Sequence, residues 1–305
     1  MIEKTEKEIM QNWQGDINNP LVSIVCITYN HEKYISEAID SFLMQETNFP
    51  FEIVIGEDCS PDSTRKILNK YIEKYPNIIK AILRDKNIGA NLNFIDCIEN
   101  SKGKYIAICE GDDYWIDKNK LNTQVNILAV HKNINLCFSS AMIYNDNKNT
   151  FKKKQNNPDK DGLVSVETLI ENNGGFISTP STLYRKEILL SNLSFVKNIP
   201  IGDYFCQVLS SVPNGAYFVA DEKVIYRKFS TSSLSTKLSN PKKRLDFCEK
   251  ILNSYDDLNK KLNFKYDTNI RKRKKSFLIN NSILFIKSLQ LLDFLRLIKL
   301  YRKSL

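Results

Sequence analysis

LVSIVCITYNHEKYISEAIDSFLMQETNFPFEIVIGED, residues 21–58, decides the fold class. Its ends, LVSIVCI (21–27) and FEIVIGE (51–57), are short runs rich in Val and Ile, the composition of strands buried on both faces. Between them Ile35, Ala38, Ile39 and Phe42 recur at helical spacing within residues 31–45. A strand, a helix and a second strand in so short a stretch predict a right-handed βαβ crossover and a largely parallel sheet. The alternation continues downstream. Ser60 reads as an N-cap with Pro61 at the first helical position, opening a helix to about Tyr75. IIKAILR (78–84), a helix around Leu92–Asn100, KYIAICE (104–110), a helix over 117–131 and INLCFSSAMIY (134–144) follow. After a polar, Asn- and Lys-rich loop at 145–162 come a strand in 177–185, a helix over 201–212 and a strand segment at 217–227. STSSLSTKLSN (230–240) reads as flexible, and the remainder has a helical pattern.

The chain has 305 residues with 44 Lys and Arg against 35 Asp and Glu, a net charge of +9. With 42% hydrophobic and 26% charged residues it has globular composition, which excludes a wholly disordered chain. A basic total suggests nucleic acid or an anionic membrane as target. The excess is local, however. Residues 271–305 hold ten basic residues and one acid, Asp293, whereas residues 1–270 carry 34 of each sign. A neutral body, and a basic run RKRKK (271–275) without interleaved aromatics, argue against nucleic acid.

The basic tail keeps two readings. Attraction to anionic lipid is worth about 1 kcal/mol per basic residue near the surface, so peripheral membrane contact is one. Yet Lys287, Gln290, Asp293, Arg296, Lys299 and Arg302 recur every three residues and spiral around a helix of 3.6 residues per turn without a fixed polar face. The other reading is a helical hairpin packed on the body or on a second copy. MIEKTEKEIMQNWQGD has no apolar stretch of the signal-peptide kind, and the apolar region 276–301 is broken too often for a spanning helix. Seven widely spaced cysteines without a CxxC pair read as buried reduced thiols. His31 and His131 are expected on helix surfaces or caps. The expectation is a cytoplasmic protein that reaches at most the inner face of the membrane.

In a parallel α/β sheet ligands lie beyond the carboxyl ends of the strands. No glycine-rich phosphate turn follows the first strand, only TYNHEKY, and no Walker loop is present. The strand ends gather Glu57, Asp58, Glu110, Asp112 and Asp113 instead. Carboxylates repel phosphate unless a cation stands between, and oxygen ligands suit Mg²⁺ or Mn²⁺. The pattern predicts a metal-bridged nucleotide. A Mg²⁺-dependent nucleotidyltransferase is the competing class, although it would normally carry a glycine-rich basic loop after the first strand.

VSIVCITYNHEKYISEAIDSFLMQ, FEIVIGEDCSPDSTRKIL and NIGANLNFIDCIENSKGKYIAICEGDDYW together resemble family-2 glycosyltransferases of the GT-A fold, over roughly residues 20–230. The resemblance implies a nucleotide-binding α/β sandwich at 20–230, preceded by a leader segment at 1–19 and followed by a flexible and basic helical extension at 231–305. It implies transfer of a sugar, with inversion, from a nucleoside diphosphate sugar (a UDP-sugar first) to a hydroxyl of a glycan or lipid-linked glycan. Thr28, Tyr29 and Asn30 would frame the nucleotide pocket, with Glu57 and Asp58 also on the donor and Asp58 accepting from the base; the alternatives are simple packing for Tyr29 and, for Glu57, a place behind the groups in contact. Asn87 and Gly89 would border the sugar. Asp112 would face the ribose and join Asp113 in holding the divalent cation, Glu110 standing where an aspartate is usual. Asp203, in Gly202-Asp203-Tyr204, would be the catalytic base. Its alternative role is an N-cap for the following helix. Arg227 and Lys228 would neutralise the departing diphosphate, although Phe229 replaces the family's histidine. Thr179-Pro180-Ser181-Thr182 resembles an acceptor-side segment, and Cys59 reads as an inert thiol.

Overall fold

The computed structural model describes residues 2–152, 157–172, 175–228 and 241–287, with 295, 296 and 298. Strands β1 (Val22–Thr28), β2 (Phe51–Glu57), β3 (Ile79–Leu83) and β4 (Tyr105–Ile108) pair in parallel in the order β3-β2-β1-β4. Their crossovers carry α2 (Ile35–Leu43), α3 (Thr64–Lys74) and α4 (Ala90–Glu99). Alternate β1 residues feed opposite faces, as the period of two requires: Ile24 and Cys26 pack with α2 and α3, and Val25 with α4. Register sets Thr28 beside Glu57, so the carboxyl ends of β1 and β2 share one edge.

The expected parallel order holds for this half of the sheet. Further along, β9 (Thr182–Arg185) lies antiparallel between β4 and β6 (Leu136–Asn145), and β10 (Ala216–Lys228) runs parallel to β6 through register shifts between Val219 and Val224. The two-residue β5 (Tyr114–Trp115) pairs antiparallel with β10. The loop expected at 145–162 contributes β7 (Thr150–Lys152) against β6, and β8 (Gly162–Val164) pairs with β10. Around this half stand α5 (Lys120–Val130), α6 (Val166–Glu171), α7 (Lys186–Val196) and α8 (Gly202–Ser211).

Helix α3 starts later than its sequence signal. Ser60 does not cap it, because its hydroxyl accepts from the Asn30 amide (3.0 Å) and its own amide bonds Glu57 Oε1 (2.6 Å). The N-terminal segment packs on the body rather than trailing from it. A capping box between Thr5 and Glu8 opens α1 (Glu6–Met10), Ile9 is buried, and Trp13 meets Phe51 edge-on at 5.0 Å.

At the other end, α9 (Pro241–Lys261) and α10 (Asp267–Lys287) form a hairpin whose Cys248, Ile251, Tyr255, Leu258 and Ile270 join the core containing Leu169, Tyr204 and Phe205. The basic run is engaged within the molecule. Arg271 pairs with Asp267 (2.8 Å), Lys272 with Glu171, and Lys274 with Asp256 (2.6 Å), while Arg273 is buried against Tyr255. For the described part of the tail, the hairpin packed on the body is the arrangement present. Among the described residues no helix is long and apolar enough to cross a membrane. Gln290, Asp293, Lys299 and Arg302, as well as Phe229 and residues 230–240, lie outside the described residues. All seven cysteines are free, and all but Cys59 are buried.

Candidate active site

After β4 the chain turns sharply through Glu110-Gly111-Asp112-Asp113 into β5. A Cβ on Gly111 would stand 2.8 Å from Thr28 Oγ1 and 2.9 Å from His31 Nδ1. Only glycine lets the turn press against the end of β1 this closely. One carboxylate oxygen from each of Glu110, Asp112 and Asp113 falls within 4.8 Å of the others. Asp113 is buried. Its Oδ1 accepts the Arg227 amide at 2.7 Å, and its Oδ2 has no hydrogen-bond partner among the described residues. Burial pushes the Glu110 carboxyl up to about 8, the charges of Asp112 and Asp203 adding to it. Burial, then Asp112 and Glu110, hold Asp113 well above the usual carboxylate range. Three crowded carboxylates, one with an orphaned buried oxygen, fit a hard divalent cation with oxygen ligands. The metal expectation named Asp112 and Asp113; the geometry adds Glu110.

Thr28 Oγ1, which a Cβ on Gly111 would meet, is likewise buried without a hydrogen-bond partner among the described residues. Tyr29 is 37% exposed at the rim. Asn30 takes φ 62, in the left-handed region, and its amide donates to Ser60 Oγ at 3.0 Å. His31 corrects the surface-or-cap expectation: it is 8% exposed, its amide donates to Thr64 Oγ1 (2.9 Å), and its Nε2 lies 4.0 Å from Asp112 Oδ2. Burial lowers its pKa, with Asp112 and Asp62 opposing. His131 caps α5 as expected, its ring 4.8 Å from that of Tyr217.

Glu57 and Asp58 follow β2 but divide their tasks. Glu57 is fully buried, and its oxygens are taken by the Ser60 amide (2.6 Å) and Arg65 Nε (2.6 Å). Both oxygens are thus engaged within the chain, holding the 58–60 turn onto α3, which accords with the alternative place of Glu57 behind the groups in contact. Asp58 accepts the amides of Ile88 (2.8 Å) and Gly89 (2.9 Å), one on each oxygen, and so fixes the loop that opens α4. Asn87 Oδ1 also accepts the Gly89 amide (3.1 Å), and Gly89 has φ 87 and ψ 155, a region open essentially to glycine alone. Cys59 Sγ donates to the Asp85 carbonyl at 3.4 Å.

Arg227 departs from expectation. Instead of a free cation on the diphosphate side, its guanidinium donates to the Asp112 carbonyl (2.8 Å) and pairs with Glu37. It sits over the rings of Tyr114 (4.7 Å), Tyr34 (5.1 Å) and Tyr144 (6.0 Å). It is a strut for the acidic turn. Lys228 is exposed, its Nζ 5.9 Å from the Tyr226 ring. The tyrosine cage and Glu37 were not legible in sequence, since they are scattered over 34–144 and nothing local marks them.

Asp203 is the second residue of α8, not its cap; the N-cap position is Ile201. It is half-buried and accepts from Thr179 Oγ1 at 3.3 Å, which draws the 179–182 segment to the site. Burial raises its pKa, and hydrogen bonds from the Tyr204 amide and Thr179 partly offset that. Its charge adds to the upward push on the Glu110 carboxyl, so the start of α8 lies within electrostatic reach of the acidic turn.

Residues 23–191 match the family model of glycosyl transferase family 2, a span of more than half the chain. The chain is a family 2 glycosyltransferase. That membership closes the nucleotidyltransferase alternative. This glycosyltransferase is 36% identical over 208 residues to uncharacterized protein Rv1520 of Mycobacterium tuberculosis, covering 68% of this chain and 58% of that protein. The chain thus spans less than two thirds of that relative's length. It is 32% identical over 182 residues to poly(ribitol-phosphate) beta-glucosyltransferase of Bacillus spizizenii, covering 56% of this chain and 26% of that protein. In fold it resembles S. aureus TarS 1-349, solved in complex with UDP-GlcNAc, with a TM-score of 0.62 at 17% identity over 93% of this chain and 92% of that one. The expected GT-A sandwich is the observed fold. Asp203, Arg227 and Lys228 lie beyond the residues the family model matches.

Proposed function

We propose that this glycosyltransferase moves a sugar from a UDP-sugar to an acceptor hydroxyl with inversion, assisted by a divalent cation at Glu110, Asp112 and Asp113. The observation that carries the reading is the acidic turn with its orphaned Asp113 Oδ2, within electrostatic reach of Asp203. A Mn²⁺ or Mg²⁺ ion held there would stabilise charge on the departing diphosphate as a Lewis acid. The chain's own groups do the rest. Tyr29 offers its exposed ring at the pocket rim and Asp58 holds the Asn87–Gly89 loop against the donor. Asp203 takes the proton of the attacking hydroxyl as it closes on the anomeric carbon, a contribution of roughly 10²–10⁴-fold. Its raised pKa favours that task, because burial makes the carboxylate a stronger base. Lys228 meets the negative charge that leaves.

UDP as the nucleotide is supported by the UDP-GlcNAc complex of TarS, and a glycan acceptor of the cell surface by the poly(ribitol-phosphate) relative. The test is UDP release from a panel of UDP-sugars with Mn²⁺ or Mg²⁺, beside GDP-sugars as control. Release from UDP-sugars that depends on the cation, and falls at least a hundredfold in Asp203→Asn, is expected. Cation-independent release, or full activity in Asp203→Asn, would remove the mechanism.

A further inference from the structure

Arg273 lies in α10, far along the chain from the acidic turn, yet it is 7% exposed inside the core. Its Nε donates to the Tyr255 hydroxyl at 3.0 Å, and its guanidinium stands 5.9 Å from the Tyr255 ring and 5.7 Å from the Tyr204 ring. Among the described residues no carboxylate pairs with it. A buried guanidinium held only by tyrosines is costly, and an apolar side chain of similar volume would normally be as stable or more so. Stability alone does not explain it.

What the cation grips does. Tyr204 is the residue after Asp203 in the first turn of α8. Its hydroxyl donates to the Ile170 carbonyl of α6 at 2.8 Å, and its ring meets Tyr255 edge-on at 5.9 Å. The α6 helix is itself fastened to α10, since Glu171 accepts from Asn269 (2.8 Å) and pairs with Lys272. The start of α8 is thus clamped by Tyr255 and Arg273 of the C-terminal hairpin and by α6, which the hairpin holds, one residue from the Asp203 carboxylate. We infer that Arg273, through Tyr204 and Tyr255, is a positioning residue for Asp203, so that the hairpin sets the geometry of proton abstraction. The inference rests on the reading of Asp203 as the base.

The test measures UDP release from UDP-N-acetylglucosamine with Mn²⁺, water being the acceptor, together with amide exchange over residues 202–206. Arg273→Met, Arg273→Lys and Asp203→Asn are compared with the parent chain. Arg273→Met should lower kcat about tenfold, since displacement by an ångström costs up to about a hundredfold. KM should stay within about twofold, the melting temperature should hold, and exchange at 202–206 should quicken. Arg273→Lys should recover part of kcat. Wild-type kcat and exchange in Arg273→Met would overturn the positioning role while an inactive Asp203→Asn leaves the base standing. A loss in Arg273→Met shared by KM and melting temperature would reduce Arg273 to a structural part. Full activity in Asp203→Asn would overturn both readings.

Discussion

The backbone amide of Arg227 donates a 2.7 Å hydrogen bond to Asp113 Oδ1, and through it the end of β10 holds the turn after β4. Backbone and side chain of one residue thus grip successive parts of the acidic turn, since the same guanidinium donates to the Asp112 carbonyl. Arg227→Lys keeps the charge and the amide but loses the planar fork that reaches Asp112 and Glu37 together. It should lower UDP release about tenfold, mainly by raising the Mn²⁺ concentration for half-activity. Titrating the cation against both proteins checks this; an unchanged half-activity concentration would make the strut irrelevant to the site.

Gly111 and Gly89 should respond differently to alanine. At Gly111 the new methyl meets Thr28 and His31 at 2.8 and 2.9 Å, so Gly111→Ala forces the turn away from β1. Overpacking of this kind costs about 1–3 kcal/mol and should abolish most activity. At Gly89 nothing lies within 4 Å and the cost is backbone strain alone. Gly89→Ala should lose about 1–3 kcal/mol by urea unfolding while raising KM for the donor more than it lowers kcat.

Asp58→Asn replaces a carboxylate that accepts two amides by a group with one acceptor oxygen. One of the Ile88 and Gly89 amides then faces an NH₂ group. The 87–89 loop should loosen, and KM for the UDP-sugar should rise about tenfold, the worth of one charge-assisted hydrogen bond. Equal KM values would return Asp58 to a purely local role.

Lys120 gives a pH prediction outside the site. It is fully buried, bonded to Gln124 Oε1 at 2.8 Å and 4.2 Å from the Trp115 ring, and burial pushes its pKa down to about 7. The unfolded chain therefore binds the extra proton between about pH 7 and 10, and this group makes folding stability rise with pH across that window. The buried cysteines, with raised pKa values, act in the opposite sense at alkaline pH and cancel in a comparison with Lys120→Met. Urea unfolding at pH 7 and pH 9 should show the parent gaining about 2 kcal/mol on the variant, and the variant more stable at pH 7. A constant difference would show that Lys120 is charged in the fold.

Residues 20–110 were legible because each element advertises itself locally: Val- and Ile-rich strands, amphipathic helices, acids where strands stop. What the sequence reading missed was decided at a distance. The reversed polarity of β9 depends on which strands it joins, which no local period records. Ser60 carried a sound capping signal and lost it to a tertiary contact with Asn30. His31 looked like a helix entry, yet the close approach of Gly111 buries it beside Asp112. Arg227 and the RKRKK run both looked like cations awaiting an external anion, and Arg227 and Arg271–Lys274 find partners inside the molecule: Arg227 in Glu37, Asp112 and the tyrosines, the run's first four residues in Glu171, Asp256, Asp267 and Tyr255.

A thermal-shift titration with UDP, with and without Mn²⁺, on the parent chain and on Asp112→Asn, tests the acidic turn as a cation-bridged nucleotide site most directly. Ligand that binds only the folded state raises stability by mass action, about 2.7 kcal/mol at a hundredfold excess over Kd. UDP should raise the melting temperature of the parent only when Mn²⁺ is present, and the paired effect should vanish in Asp112→Asn. An equal UDP shift without the cation, or one retained in Asp112→Asn, would contradict it.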